Sequence, residues 1–154
     1  MKLEDEVELL RRIPLFAKIE PSRLKLLAFT SDRMTFESGQ EMFHQGDTGD
    51  AAYLILAGEA DVMVDTDAGP VSVAQIGKNA LVGEISILCD APRNATVRTI
   101  GSLNALKIKK EHFLDLIKEF PEMAIEVMRV LANRVSATND ELSLAKRQLR
   151  ELAG

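Results

Sequence analysis

Cysteine, histidine and long apolar runs are all scarce in this chain, and each shortage removes a class of protein. With one cysteine, Cys89, there is no intramolecular disulfide, and 154 residues suffice to bury a core without one or a structural metal. The two histidines, His44 and His112, lie far apart in no metal-ligand spacing, which argues against a metal-dependent enzyme on a β-rich scaffold. No Ser-His-Asp or Cys-His arrangement is present either, so Cys89 reads as a small packing residue and no catalytic or metal-binding residue is expected. No apolar stretch approaches the roughly 18 residues of a membrane span. Lys2 is followed by Glu4, Asp5 and Glu6 rather than by the apolar segment of a signal peptide. A reducing, cytoplasmic setting without a membrane partner is the expectation. Basic charge is not in excess: the net charge is -5 and the pI about 5.1, which argues against broad nucleic-acid affinity because that rests on neutralising phosphates.

What is present falls into three stretches. Between Val7 and Phe29, the residues Val7, Leu10, Ile13, Leu24, Leu27 and Ala28 recur at helical spacing, interrupted by Pro14 and Pro21, and predict two short helices. From Met34 to Lys109 the pattern changes to short β-like runs punctuated by glycines. The predicted strands are Arg33 to Phe36, Glu41 to His44, Ala51 to Ala57, Glu59 to Asp65, Val71 to Ile76, Asn94 to Ile100 and Leu103 to Lys109. A mainly β fold with flanking helices follows, an antiparallel β-roll or jelly-roll barrel with a tight hairpin at Gly58 and a looser one at Asp67-Ala68-Gly69-Pro70. After Glu111 the chain turns helical, breaks at Pro121, and then runs without Gly or Pro to the final residue. There Met128, Leu131, Val135, Thr138, Leu142, Ala145, Leu149 and Leu152 step by threes and fours, an a/d seam of about three and a half heptads. The seam fits a helix packed on its own barrel or a parallel coiled-coil homodimer, and its persistence to Leu152 favours the dimer.

The most informative stretch is Val82 to Val97. Gly83 and Glu84 precede a short apolar run predicted as one or two turns of helix from Glu84 to near Leu88, whose free N–H groups would face an anion. Gly83 has no Cβ, so backbone and ligand can come into contact there. Arg93 follows Glu84 by nine residues, its planar fork of donors matches phosphate oxygens, and Glu84 is expected to help hold it in one rotamer. A carboxylate beside a phosphate needs a task of its own, and accepting a hydrogen bond from a ribose hydroxyl is one. The competing reading is a surface salt bridge between Glu84 and Arg93, which leaves Gly83 and Pro92 without a purpose.

Gly-Glu, an apolar turn, then Pro-Arg, a small residue and Ala-Thr-Val resembles the phosphate-binding cassette of cyclic nucleotide-binding domains. That family includes kinase regulatory subunits, channel gating domains and bacterial catabolite activators. The segment from Leu10 to Ile19, with Ile13-Pro14-Leu15-Phe16, resembles its helical lead-in. The resemblance implies one cyclic nucleotide-binding domain over residues 1–154: lead-in 1–30, β-roll 31–110 carrying the cassette 82–97, and C-terminal helices 111–154. It implies that Arg93 grips the exocyclic phosphate oxygens and Glu84 takes the ribose 2'-hydroxyl. Backbone N–H groups around Gly83, Ser86, Asn94 and Ala95 complete the cradle, with Ile85 in the same turn. In catabolite activators the long helix carries a Thr-Ser pair that contacts adenine, and Thr138-Asn139 resembles it. Thr138 is equally well read as a polar seam residue.

The ligand implied is cAMP rather than cGMP, on the strength of Thr138-Asn139, with no other cofactor. Asn94 departs from the usual Ala, Ser or Thr and is a candidate for reading the base. The expected function is a regulatory module whose C-terminal helices reposition on ligand binding and signal to an unidentified effector protein. The alternative is a ligand-independent interaction module of the same fold. A DNA-binding regulator of the catabolite-activator kind would carry a helix-turn-helix after the long helix, for which the sequence up to Gly154 leaves no room.

Overall fold

The computed structural model describes residues 3–13 and 15–153; Pro14 and the outermost residues of the expected domain fall outside the described residues. Two helices lead in, α1 (Leu3–Arg11) and α2 (Pro21–Thr30), the latter with Pro21 in its first turn where a missing N–H costs nothing. Strands β1 (Asp32–Phe36), β2 (Glu41–Phe43), β3 (Ala51–Ala57), β4 (Ala60–Thr66), β5 (Gly69–Ile76) and β6 (Leu81–Val82) follow. A short helix α3 (Glu84–Leu88), strands β7 (Thr96–Thr99) and β8 (Leu103–Lys109), and helices α4 (Lys110–Glu119) and α5 (Pro121–Ala153) complete the chain.

The strands form two four-stranded antiparallel sheets, β1-β8-β3-β6 and β2-β7-β4-β5, flanked by helices as expected. β3 and β8 have both faces covered, and the two-residue period of a strand sorts their side chains. Ala52, Leu54, Leu106 and Ile108 face the helices, where they meet Leu10, Phe16, Leu24 and Phe113. Tyr53, Ile55, Leu103 and Ala105 face the other way, into the space between the sheets, with Phe36 and Val97. This double burial explains why Ala51 to Leu56 reads as a continuous apolar run instead of an alternation.

Three local expectations change. Gly58 is not in a hairpin between paired strands: β3 and β4 belong to different sheets, so its turn carries the chain from one layer to the other. A Cβ there would sit 2.6 Å from the Ser102 carbonyl oxygen, and φ is +99°, so glycine is required. The β4–β5 connection is tight, not loose, because Thr66 pairs with Gly69 across a two-residue loop. Leu81–Val82 is a strand that periodicity missed, being only two residues long.

Phe113 is fully buried where α4 meets both lead-in helices and β3–β8. Phe113→Ala is expected to lower unfolding free energy by about 3–5 kcal/mol, read from urea denaturation; a loss under about 1 kcal/mol would mean that the helical layer is not part of the cooperative core.

Candidate nucleotide-binding site

Pairing of β6 with β3, Tyr53 opposite Val82 and Leu54 opposite Leu81, delivers the chain to Gly83 at a fixed point in the sheet. Gly83 then takes a left-handed conformation, φ +88°, as the residue capping α3. A Cβ on Gly83 would fall 2.5 Å from Arg93 Nη1 and 3.3 Å from the Ala51 carbonyl oxygen. The close approach that the sequence suggested toward a ligand is thus first an approach to the arginine. Arg93 is tied to the β2–β3 loop at its backbone, donating N–H to the Asp47 carbonyl at 2.8 Å and accepting from Gly46 N–H at 2.8 Å.

Arg93 and Glu84 are the two buried charged side chains among the described residues, 4% and 3% exposed. They line one pocket of about 240 Å3. Arg93 Nη1 donates to the Gly83 carbonyl at 2.7 Å and to Ser86 Oγ at 2.9 Å, and Nη2 donates to the Ala51 carbonyl at 2.6 Å. Its Nε–H is buried without an acceptor among the described residues. Burial lowers its pKa from the ordinary guanidinium value, partly offset by Tyr53 and by the acids Asp50, Asp47 and Glu84, none of which forms an ion pair with it among the described residues. Gly49 makes room for this arrangement, since a Cβ there would collide with Ser86 Oγ.

Glu84 does not hold Arg93, which corrects the expectation from sequence. Its Oε1 accepts from Arg134 Nη1 at 2.7 Å, and Arg134 Nη2 donates to the Leu81 carbonyl at 3.0 Å. Desolvation raises the Glu84 pKa above its ordinary 4.5, and Arg134 is the largest influence pulling it back. Arg134 thus ties α5 to the cassette. The pair also forms the wall between this pocket and a second cavity of about 230 Å3 under α5, lined by Ile13, Leu81, Val127 and Leu131. The opposite wall of the first pocket is apolar: Val62 and Val64 of β4, and Val73, Ala74 and Ile76 of β5.

Of the residues singled out from sequence, Gly83, Glu84, Ile85, Ser86, Arg93, Asn94 and Ala95 all line this pocket. Thr138 and Asn139 are not brought to it. They lie on the exposed run 132–153 of α5, and the Thr138 hydroxyl donates to the Arg134 carbonyl one turn back at 2.9 Å. Arg134, Phe43 and the β4–β5 wall were missed. For Arg134 the available signal was its place one turn before Thr138, but no local pattern names its partner 50 residues away. Cys89, read as a packing residue, is exposed at the end of α3.

Residues 33–120, more than half the chain, match the sequence profile of the cyclic nucleotide-binding domain. The chain belongs to that family. The domain is 29% identical over 137 residues to the CRP-like cAMP-activated global transcriptional regulator of Mycobacterium tuberculosis, covering 88% of this chain and 61% of the regulator. Among solved structures it superposes on the Thermus thermophilus catabolite activator protein with a TM-score of 0.75 at 29% identity, covering 86% of this chain and 63% of that one. It is also similar to the regulatory subunit of a cAMP-independent protein kinase A from Trypanosoma brucei, with a TM-score of 0.74 at 25% identity, covering 85% and 47%. The chain therefore spans less than two thirds of the length of each of these relatives. Among the described residues, no helix is long and apolar enough to cross a membrane.

Because the folded Glu84 carboxyl has the higher pKa, the folded chain takes up its proton first as pH falls. Its contribution to stability therefore rises on acidification through the folded value, until the unfolded carboxyl also protonates near 4.5. Arg134→Gln removes the cation that opposes this shift, so the gain is expected to begin at higher pH than in the parent, read as urea midpoints from pH 8 down to about pH 5. Glu84→Gln should abolish the difference between the two profiles, and superimposable profiles without it would show that Arg134 does not act on Glu84.

Proposed function

We propose that the domain is a receiver for a cyclic nucleotide, cAMP in preference to cGMP, and that ligand binding repositions α5. The observation that carries this reading is the buried Arg93 with no acid paired to it among the described residues. A cation taken out of water is costly unless an anion compensates it, and the pocket wall is where such an anion would arrive. Arg93 takes the phosphate in this reading, Glu84 the ribose 2'-hydroxyl, and the backbone around Gly83, Ser86, Asn94 and Ala95 the remaining oxygens. The base lies along the valine wall. Guanine, with its keto group, ring N–H and exocyclic amine, loses more there than adenine, since Asn94 at the rim offers the one nearby side-chain amide among the pocket-lining residues. The cAMP-activated relative supports the same preference.

The route to α5 is competition at Glu84. A ribose hydroxyl and the Arg134 guanidinium both seek the same carboxylate, so ligand binding shifts the balance between two positions of the helix by as much as it favours one of them. The output passes to a second copy or to an effector protein, with no catalytic step in this chain. For the second copy, α5 offers Met128, Val135, Leu142, Leu149 and Leu152, each at least 52% exposed. A free, exposed Cys89 suits a reducing, cytoplasmic setting.

A ligand-independent interaction module is the second reading. It is favoured by the closure of the pocket on itself: Arg93 already has three acceptors, Glu84 already has Arg134, and one relative is a cAMP-independent kinase subunit.

Thermal melting separates the two. At about 100 times its dissociation constant, cAMP is expected to stabilise the fold by about 2.7 kcal/mol, cGMP less and AMP not at all. Arg93→Ala should weaken binding by about 30- to 5000-fold, and Arg93→Lys should not restore it. No shift with either cyclic nucleotide leaves the interaction module. Sedimentation tests the seam: the parent chain should be a dimer, and Leu142→Glu with Leu149→Glu a monomer at the same concentration. A monomeric parent would overturn the dimer.

A further inference from the structure

We propose that Phe43 is a positioning residue for phosphate recognition, holding the face of the Arg93 guanidinium while leaving its N–H edges to acceptors and ligand. The inference rests on the phosphate role given to Arg93 above. The Arg93 Cζ lies 4.1 Å from the centre of the Phe43 ring. Phe43 in turn stacks on Tyr53, with ring centres 6.0 Å apart and planes 28° from parallel, and Tyr53 meets Phe36 edge-on at 6.3 Å. A column of three rings therefore backs the guanidinium from inside the β-roll.

The ring reaches this place through an irregularity in strand pairing. Along β2, Glu41 pairs with Arg98 and Phe43 with Val97, so two steps on one strand match one on the other. Regular alternation would send Met42 and Phe43 to opposite faces. With the bulge, Met42 is buried in the cluster between the sheets and Phe43 packs against that same cluster.

A ring suits this position better than an acid would. Arg93 meets three neutral acceptors, and burial disfavours its charge. A carboxylate in contact would relieve that cost but would repel an incoming phosphate and consume N–H groups. The negative face of an aromatic ring attracts the cation, uses none of its donors and carries no net charge against the anion. Because the ring backs the guanidinium instead of the base, its contribution should be blind to which base the ligand carries.

The test is equilibrium binding of cAMP and cGMP to the full chain carrying Phe43→Ile, a β-branched replacement that suits a strand, with Phe43→Leu in its place if that variant does not fold. Both affinities are expected to fall by the same factor, about 5- to 30-fold, and Phe43→Tyr or Phe43→Trp should stay within about threefold of the parent. The ligand-free protein supplies a readout that simple loss of packing would not move. A double-mutant cycle of Phe43→Ile and Arg93→Gln in urea unfolding should show non-additivity of about fivefold or more in the unfolding constant. Unchanged affinity, a loss confined to one of the two nucleotides, failure of the aromatic replacements to rescue, or an additive cycle would each overturn the assignment. If the parent chain binds neither nucleotide, the proposed function fails and this inference falls with it; if the parent binds and Phe43→Ile binds equally well, only the inference fails.

Discussion

Burying a guanidinium costs several kcal/mol unless its N–H groups find acceptors, and those around Arg93 come from separate parts of the chain. The Ala51 carbonyl opens β3, the Gly83 carbonyl ends the β6 turn, and the Ser86 hydroxyl belongs to α3. No one of these elements places Arg93; their convergence does. The demand extends outward from there. Gly83 must lack a side chain because Arg93 Nη1 fills that space, and Gly49 must lack one because the Ser86 hydroxyl fills the next. The backbone of Arg93 in turn clasps the β2–β3 loop through Gly46 and Asp47. Gly83 of the cassette and Gly49 of the β2–β3 loop therefore serve the arginine before they serve any ligand.

A second constraint is that β3 and β8 have no free face. One side meets the helices and the other meets the opposite sheet, so the cassette, anchored on β3 through β6, is held against both layers at once. Displacement of Gly83 or α3 is felt by Leu81 and Ile87, which pack in the helical cluster. The ion pair of Arg134 with Glu84 adds a polar tie from the cassette to the long helix. The pocket and α5 are thus joined both by packing and by a charge contact.

Much of this was legible in the sequence because its causes are local. α3 begins and ends at the residues where the Gly-Glu pair and the apolar run place it, and the seven expected strands are present, half of their ends unshifted and the rest displaced by one or two residues. The pocket residues around Gly83, Glu84 and Arg93 are contiguous in the chain, so one motif captured them together. What was not legible depends on distance. Arg134 and Glu84 are 50 residues apart, with β7, β8 and α4 between them, and nothing near either residue names the other. Phe43 reaches Arg93 because of a bulge, which breaks the alternation from which side-chain direction is read. Gly58 looked like a hairpin glycine since sequence shows that the chain turns without showing which sheet it enters. Thr138 and Asn139 were placed by likeness to a motif, while their own surroundings in this chain are solvent and the preceding helical turn.

The exposure of α5 beyond Leu131 gives the chain a mechanical property. Apart from Arg134, whose guanidinium reaches Leu81 and Glu84, residues 132–153 lie exposed and contribute no side chain to the core clusters, yet they continue without interruption the same helix whose Met123 and Val127 are buried. Such a helix is a rigid lever with its fulcrum at the barrel and its load arm in solvent. From Arg134 to Ala153 the arm measures about 28 Å at the rise of an α-helix, so a tilt of about 10° at the fulcrum carries its tip about 5 Å. In the proposed repositioning of α5, a movement at the pocket too small to disturb the core would be enlarged, at the far end of the helix, to the width of a side chain.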